Sequence, residues 1–336
     1  MANIHDVAQH AGVSIATISR MLSGENIRNR AAVERAISEL GYRPNASARG
    51  LRLGRHHTIA VIVPDISNPY FAALVRGIEE RAMAKGFRII VASSDEKFTA
   101  ESDVLGGLID AVDAVAIVPA EASERTRRML TELGKPVVLI DRTVGENPEF
   151  DLVHVDNAGG ARMAAEYLLS LGHRRIGVIS GRQETLPGQV RHTEFLDVLS
   201  AAGVEVKQED TKIGEFTRAF GHQAACELMD TSSGITAVFV GNNTMAQGAL
   251  LAFHAAGVSI PGDLSFLCFD DFDLAELLPA PVTVISRPAI AEGHAAADLL
   301  LARIDGADAG KPQEFRHMVL PVKLTIRKSC SEPPIH

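Results

Sequence analysis

A chain of 336 residues, 46% apolar and 22% charged, can bury substantial cores and is too long for one small domain, so two or three domains are expected. Its formal charge of −9 is uneven: residues 1 to 57 hold eight arginines, no lysine and four acids, a net of +4, which leaves −13 for the rest. That split predicts a small module that meets a polyanion and a larger body that does not, while three distant cysteines without a CxxC pair argue against a disulfide framework or a zinc site.

In chain order, "NIHDVAQHAGVSIATISRMLSG" predicts two short helices. Asn3 caps the first, with Asp6 at its third position, where a negative charge suits the helix dipole. Gly12 breaks it, and Ser14 caps a second helix from Ile15 to about Leu22. A third helix shows Val33, Ala36, Ile37 and Leu40 at helical spacing and ends before Gly41. Two helices joined by a short glycine turn form a helix-turn-helix, which lays its second helix in the DNA major groove. With Val13, Ile18 and Leu22 turned inward, Ile15, Ala16, Thr17, Ser19 and Arg20 remain outside. Arg20 suits a guanine, Ile15 and Ala16 suit thymine methyls, and Thr17 and Ser19 suit phosphates. An ordinary small helical bundle with solvated polar faces is the alternative.

"RPNASARGLRLG" (43 to 54) follows, a basic helix of about two turns behind Pro44 and Asn45. Gly50 interrupts it and Gly54 ends it, so it is marginal in isolation.

From Thr58, near-continuous apolar runs alternate with amphipathic helices, the pattern of parallel sheets covered on both faces. Strands are expected at 59 to 64, 88 to 93, 114 to 119, 136 to 141, 152 to 155, 175 to 181, 237 to 241 and 264 to 269. Helices are expected at Phe71 to Lys85, Ala158 to Leu171, Arg191 to Ala202 and Met245 to Ala256. The loops at the carboxyl ends of such strands bind ligands. Here they carry Tyr70, Phe71, Asp95, Asp141, Arg142, Arg191, Asn242 and Asp270, which suit a polyhydroxylated molecule: rings stack on its apolar faces while carboxylates, amides and arginines satisfy hydroxyls. The basic "LGHRR" (171 to 175) reads as a helix end with cations near the dipole's negative pole. Neither GxGxxG after the first strand nor GxxxxGK[ST], HExxH or GxSxG occurs, and twelve histidines show no metal-ligand spacing, so the expectation is no enzyme, no cofactor and no metal. The start of the chain lacks a signal peptide's apolar core, and no run reaches a membrane span, which predicts a cytoplasmic protein.

The blocks "DVAQHAGVSIATISRML" and "ELGYRPNASARGLRLG" resemble the DNA-binding and hinge segments of the LacI/GalR family of bacterial regulators. "IAVIVPDISNPYF", "VVLIDR", "VDNAGGARMAAEYLLSLGHRRIGVISG", "GNNTMAQGALLAFHAAGVSIPGDLSFLCFDD" and "PVTVISRP" resemble its effector domain, which is related to periplasmic sugar-binding proteins. The resemblance implies a helix-turn-helix domain (1–44), a hinge helix (45–57) and an α/β core of two Rossmann-like lobes (58–328), followed by a tail (329–336). The amino-terminal lobe would take 58–155 and 286–318, and the carboxyl-terminal lobe 156–285 and 319–328. It implies a transcriptional repressor that binds a palindromic operator as a homodimer under a carbohydrate-type effector; a sugar-binding protein without a DNA role is the alternative. Ser14, Ile15, Ala16, Thr17, Ser19 and Arg20 would then read DNA, Asn45 would start the hinge, Ala48 would meet its twin, and Leu51 would wedge into the minor groove. Asp141, Arg191, Asn242 and Asp270 match usual effector positions, Tyr70, Phe71 and Arg287 match more variable ones, and Asp95 completes the set. Three departures stand out: "SGENIRNRAAVERA" is about three residues short, Asn242-Asn243 replaces an Asn-Asp pair, and "GRQETLPGQVRHTEF" lacks the usual serine and threonine density. After Ile326 no leucine heptads remain to assemble a tetramer, which leaves a dimer.

Overall fold

The computed structural model describes residues 2–22, 25–42, 55–145, 149–230, 234–308 and 314–334. It divides into two compact units, residues 1–56 and 57–336. The hinge residues Asn45, Ala48 and Leu51 lie outside the described residues.

The first unit packs three helices, α1 (Ile4–Ala11), α2 (Ile15–Leu22) and α3 (Arg30–Glu39). Asn3 and Asp6 form a reciprocal capping box at the start of α1, and Gly12 ends it in the left-handed conformation at φ 63°. The Ser14 hydroxyl accepts the Thr17 backbone N–H at 3.2 Å and so opens α2. Val7, Ala8, Ile18, Met21, Val33 and Ala36 form the core. One sequence expectation changes here: Met21, three residues from Ile18, is the buried partner on α2, while Leu22 is half-buried at the margin.

The second unit is two α/β lobes. β1 (Thr58–Val63), β2 (Arg88–Ser93), β3 (Ala114–Ile117), β4 (Val137–Ile140), β5 (Asp151–Val155) and β11 (His317–Leu320) form one sheet, in the order β11-β5-β4-β3-β1-β2. The other contains β6 (Ile176–Gly181), β7 (Thr211–Gly214), β8 (Ala237–Val240), β9 (Ser265–Phe269), β10 (Thr283–Ser286) and β12 (Lys323–Thr325), in the order β12-β10-β9-β8-β6-β7. The two orders are the same pattern repeated, so β4 corresponds to β9 and β5 to β10. Every pairing is parallel except β10 with β12. The central strands are buried on both faces, which explains their unbroken apolar runs.

Helices cover both sheets. In the first lobe these are α4 (Pro69–Ala84), α5 (Phe98–Leu108), α6 (Glu124–Glu132) and α11 (Ala289–Asp308); in the second, α7 (Asn157–Ser170), α8 (Leu186–Ala201), α9 (Arg218–Asp230) and α10 (Asn243–Ala255). The chain therefore crosses between lobes after β5, between β10 and α11, and between β11 and β12. Helix α8 begins at Leu186, five residues ahead of the sequence expectation, because Thr185 caps it and Pro187 sits in its first turn. His173 of "LGHRR" is buried rather than a solvated cation: its ring meets Thr236 Oγ1 at 2.8 Å and the Ser331 carbonyl at 2.9 Å, and burial lowers its pKa. Arg174 does reach the Leu169 carbonyl at the end of α7. The carboxyl-terminal segment is stitched to the second lobe, with Ser329 hydroxyl to Phe266 carbonyl at 2.5 Å and Ser331 N–H to Ser265 hydroxyl at 2.9 Å. No helix among the described residues is long and apolar enough to cross a membrane.

Candidate functional site

Ser14, just ahead of α2, and Ala16 and Arg20 on it are exposed, and Thr17 and Ser19 are half-exposed. Ile15, expected outside, is half-buried against the three-helix core, because it lies one turn from Ile18 on the same face. The exposed face of α2 is thus narrower than the sequence suggested and is centred on Ala16 and Arg20.

In the second unit, the loops leaving β1, β2, β4, β8 and β9 converge with α8 on a cavity of about 200 Å³ between the lobes. All eight expected residues, Tyr70, Phe71, Asp95, Asp141, Arg191, Asn242, Asp270 and Arg287, line it. Asp141 follows β4 at φ 62° and Asp270 follows β9 at φ 71°, equivalent places in the two lobes. Their backbone N–H groups bond equivalent carbonyls, Val153 on β5 and Ile285 on β10. Both carboxylates turn to one guanidinium. Arg287 Nη1 donates to Asp141 Oδ1 at 2.6 Å and Nη2 to Asp270 Oδ2 at 3.2 Å, while its Nε lies 2.6 Å from Asp270 Oδ1 at an angle too bent for a hydrogen bond. Burial disfavours the Arg287 charge, but Asp270, Tyr70, Asp141 and Glu292 more than offset it and raise its pKa. Burial would likewise raise Asp141, yet Arg287, Arg191 and Arg142 hold it below the usual carboxylate range.

Tyr70 forms the floor. Arg287 stacks 3.4 Å over its ring, Phe71 meets it edge-on at 4.9 Å, and its hydroxyl donates to Glu292 Oε2 at 3.1 Å. Arg191 enters from the second turn of α8, 3% exposed, donating to Asn157 Oδ1 and the Gly241 carbonyl and lying 3.7 Å over Phe269. Among the described residues its Nη2 has no hydrogen-bond partner, and burial lowers its pKa. Asn242 spends the acceptor end of its amide capping α10. Asp95 is exposed at the rim.

Sequence reasoning left out several lining residues. Asn68 exchanges amide hydrogen bonds with Asn243 of the opposite lobe at 3.3 and 2.9 Å, which gives the Asn242-Asn243 departure a structural role. Arg142, one of the polar loop residues but outside the family-matched set, is held bidentately by Glu96 at 2.6 and 2.7 Å. Phe216 and Thr217 come from a segment without a strong strand signal. The asparagine repeat around 242 is the one clue to the amide pair, and the place of Arg142 after a strand is the clue to it; Phe216 and Thr217 carry none.

Residues 3–45 match the family model described as bacterial regulatory proteins of the lacI family, and residues 165–330 match a periplasmic binding protein-like domain. The regulator CelR of Thermobifida fusca is 34% identical over 334 residues, 96% of each chain. The chain belongs to the LacI family. It is therefore a DNA-binding transcriptional regulator with a helix-turn-helix domain and a two-lobed α/β core. A solved CelR–cellobiose complex aligns over 98% of this chain and all of that one, at 32% identity and a TM-score of 0.75. The lac repressor dimer bound to operator and the anti-inducer ONPF shares the fold, with a TM-score of 0.84 at 22% identity over 98% of this chain and 99% of that one.

Proposed function

We propose that this regulator binds a near-palindromic operator as a homodimer and releases or grips it according to a small uncharged carbohydrate in the interlobe cavity. Ser14, Ala16 and Arg20 supply the major-groove contacts and Thr17 and Ser19 reach phosphates, while Ile15 contributes only the edge it leaves outside the core, with Asn45, Ala48 and Leu51 as the hinge elements. The observation that carries the effector half is the single Arg287 fork shared by Asp141 and Asp270, one from each lobe. A ligand that inserts hydroxyls between such carboxylate–arginine pairs joins both lobes at once and changes their relative position. Charge narrows the class: five carboxylates line the cavity against three guanidiniums, and Arg287 and Arg142 are already paired. An added phosphate or carboxylate would meet net repulsion, whereas sugar hydroxyls meet alternating donors and acceptors. The cellobiose held by the CelR relative is of this uncharged class. This reading assigns the cleft no catalytic step.

The test is a thermal-shift screen of the full chain against matched neutral and anionic sugars, followed by operator titration with any hit. Neutral sugars are expected to raise the melting temperature and alter operator affinity. Arg191→Ala should keep operator affinity and lose the sugar response, since it removes a guanidinium that lines the cavity with Nη2 free of hydrogen bonds among the described residues; the Asn157 and Gly241 acceptors left unpaired should lower stability by about 1–3 kcal/mol. Binding confined to anionic sugars, or an unaltered response in Arg191→Ala, would overturn the assignment.

A further inference from the structure

The loop after β2 carries Asp95 and Glu96 at φ 50° and 57°, two successive non-glycine residues in the left-handed region. Such strain persists only where the surroundings impose it. Here it aims Glu96 at the mouth of the cleft. Glu96 holds Arg142 of its own lobe, and the same carboxylate accepts Arg182 Nη2 from the opposite lobe at 3.2 Å. Arg182 Nη2 also donates to the Ala120 carbonyl at 3.0 Å, across the same gap. Both ends are firmly mounted. Ala120 N–H donates to the buried Glu101 at 2.8 Å. The Arg182 carbonyl accepts the Thr185 hydroxyl at 2.8 Å, and a Cβ on Gly188 would come within 2.0 Å of that carbonyl, so only glycine admits the close turn into α8.

We infer that Glu96 and Arg182 form an ionic latch across the cleft mouth: Arg182 is a positioning residue that sets effector affinity by holding the lobes together without lining the cavity. The latch opens without stranding a charge. When the lobes part, Glu96 keeps its bidentate Arg142, and Arg182 keeps Glu215 of its own lobe, whose Oε2 lies 3.5 Å from its Nε. Glu96 and Arg182 are 22% and 21% exposed, enough for solvent and salt to weaken the pair. A second contact between the lobes is the neutral, buried Asn68–Asn243 pair, so salt should loosen the Glu96–Arg182 contact and spare that one.

The inference rests on the cavity being the effector site, but its test needs no effector. Amide hydrogen exchange is followed in the full chain for segments 93–97, 118–123, 181–185 and 213–217, with β1 and β8 as internal controls. Glu96→Gln and Arg182→Met should each speed exchange at the mouth by up to about fivefold, the scale of one partly exposed ion pair, with the double variant no faster than Arg182→Met, which also loses the Ala120 contact. In the parent, raising salt from about 0.1 M to about 1 M should have the same effect, because screening shortens from roughly 10 to roughly 3 Å; the double variant should not respond. Arg182→Lys should lie between parent and Arg182→Met. Additive effects, no salt response in the parent, or a rise in β1 and β8 equal to that at the mouth with Arg182→Lys no better than Arg182→Met would overturn the latch. Failure of the latch leaves the Arg191→Ala result standing, and failure of that result leaves the latch standing.

Discussion

Glu292 is a carboxyl in a helix's first turn that is nonetheless wholly buried. The Tyr70 hydroxyl meets its Oε2, and Oε1 has no hydrogen-bond partner among the described residues. Burial pushes its pKa up to about 7 against the lowering effect of Arg287. A carboxyl raised in this way contributes stability that is complete below its ordinary value and is lost as pH rises through about 7. Glu292→Gln keeps a partner for the Tyr70 hydroxyl and removes the titration. In urea unfolding, the variant should therefore lose less stability than the parent between about pH 5 and about pH 8, by up to on the order of 3 kcal/mol. Equal slopes would place the titration elsewhere. Glu101 shares the same cause and the same value of about 7, so a residual slope in the variant points to it, and Glu101→Gln should remove that remainder.

Elements meet closely where glycines face each other. Gly77 on α4 and Gly293 on α11 let these helices touch backbone to backbone: a Cβ at 77 would stand 2.2 Å from the Ile290 carbonyl oxygen, and one at 293 would stand 2.2 Å from that of Leu74. This contact fixes the start of α4, where Tyr70 lies, against the start of α11, where Glu292 lies. Gly77→Ala forces the helices apart and should cost about 1–3 kcal/mol despite its better helix propensity. Thermal unfolding measures that loss, and an unchanged or higher melting temperature would contradict the close packing. The spacing of apolar residues announced these helices, but nothing in it announced which of them pair. Only the return of the chain to the first lobe after β10 puts α11 beside α4.

At the scale of the molecule, the basic first unit and the acidic second unit separate as bodies with their own cores. A fragment spanning residues 57–336 is accordingly expected to fold, to keep its thermal shift with sugar and to lose operator binding. Gel-shift titration of that fragment at low salt checks the point, and retained specific binding would remove the DNA role from the helix-turn-helix. Intact chain should bind DNA less tightly as salt rises, because the contacts of arginine with phosphate release counterions.

Local signals were sufficient for much of this protein. The capping pair Asn3 and Asp6, the break at Gly12, the apolar strands and the polar loops after them are all readable from neighbours in the chain, because caps, turns and burial periodicity are short-range physics. The eight cavity residues were legible for the same reason, as each follows a strand end or matches a family motif. Which charges pair was decided only in three dimensions. Arg287 joins Asp141 across 146 positions and Arg182 joins Glu96 across 86, and such partners are chosen by the crossing of the chain between lobes. Ile15 turned inward and Met21 displaced Leu22 because a core of three short helices selects faces by packing, and a helix of eight residues offers several faces that the sequence alone ranks alike.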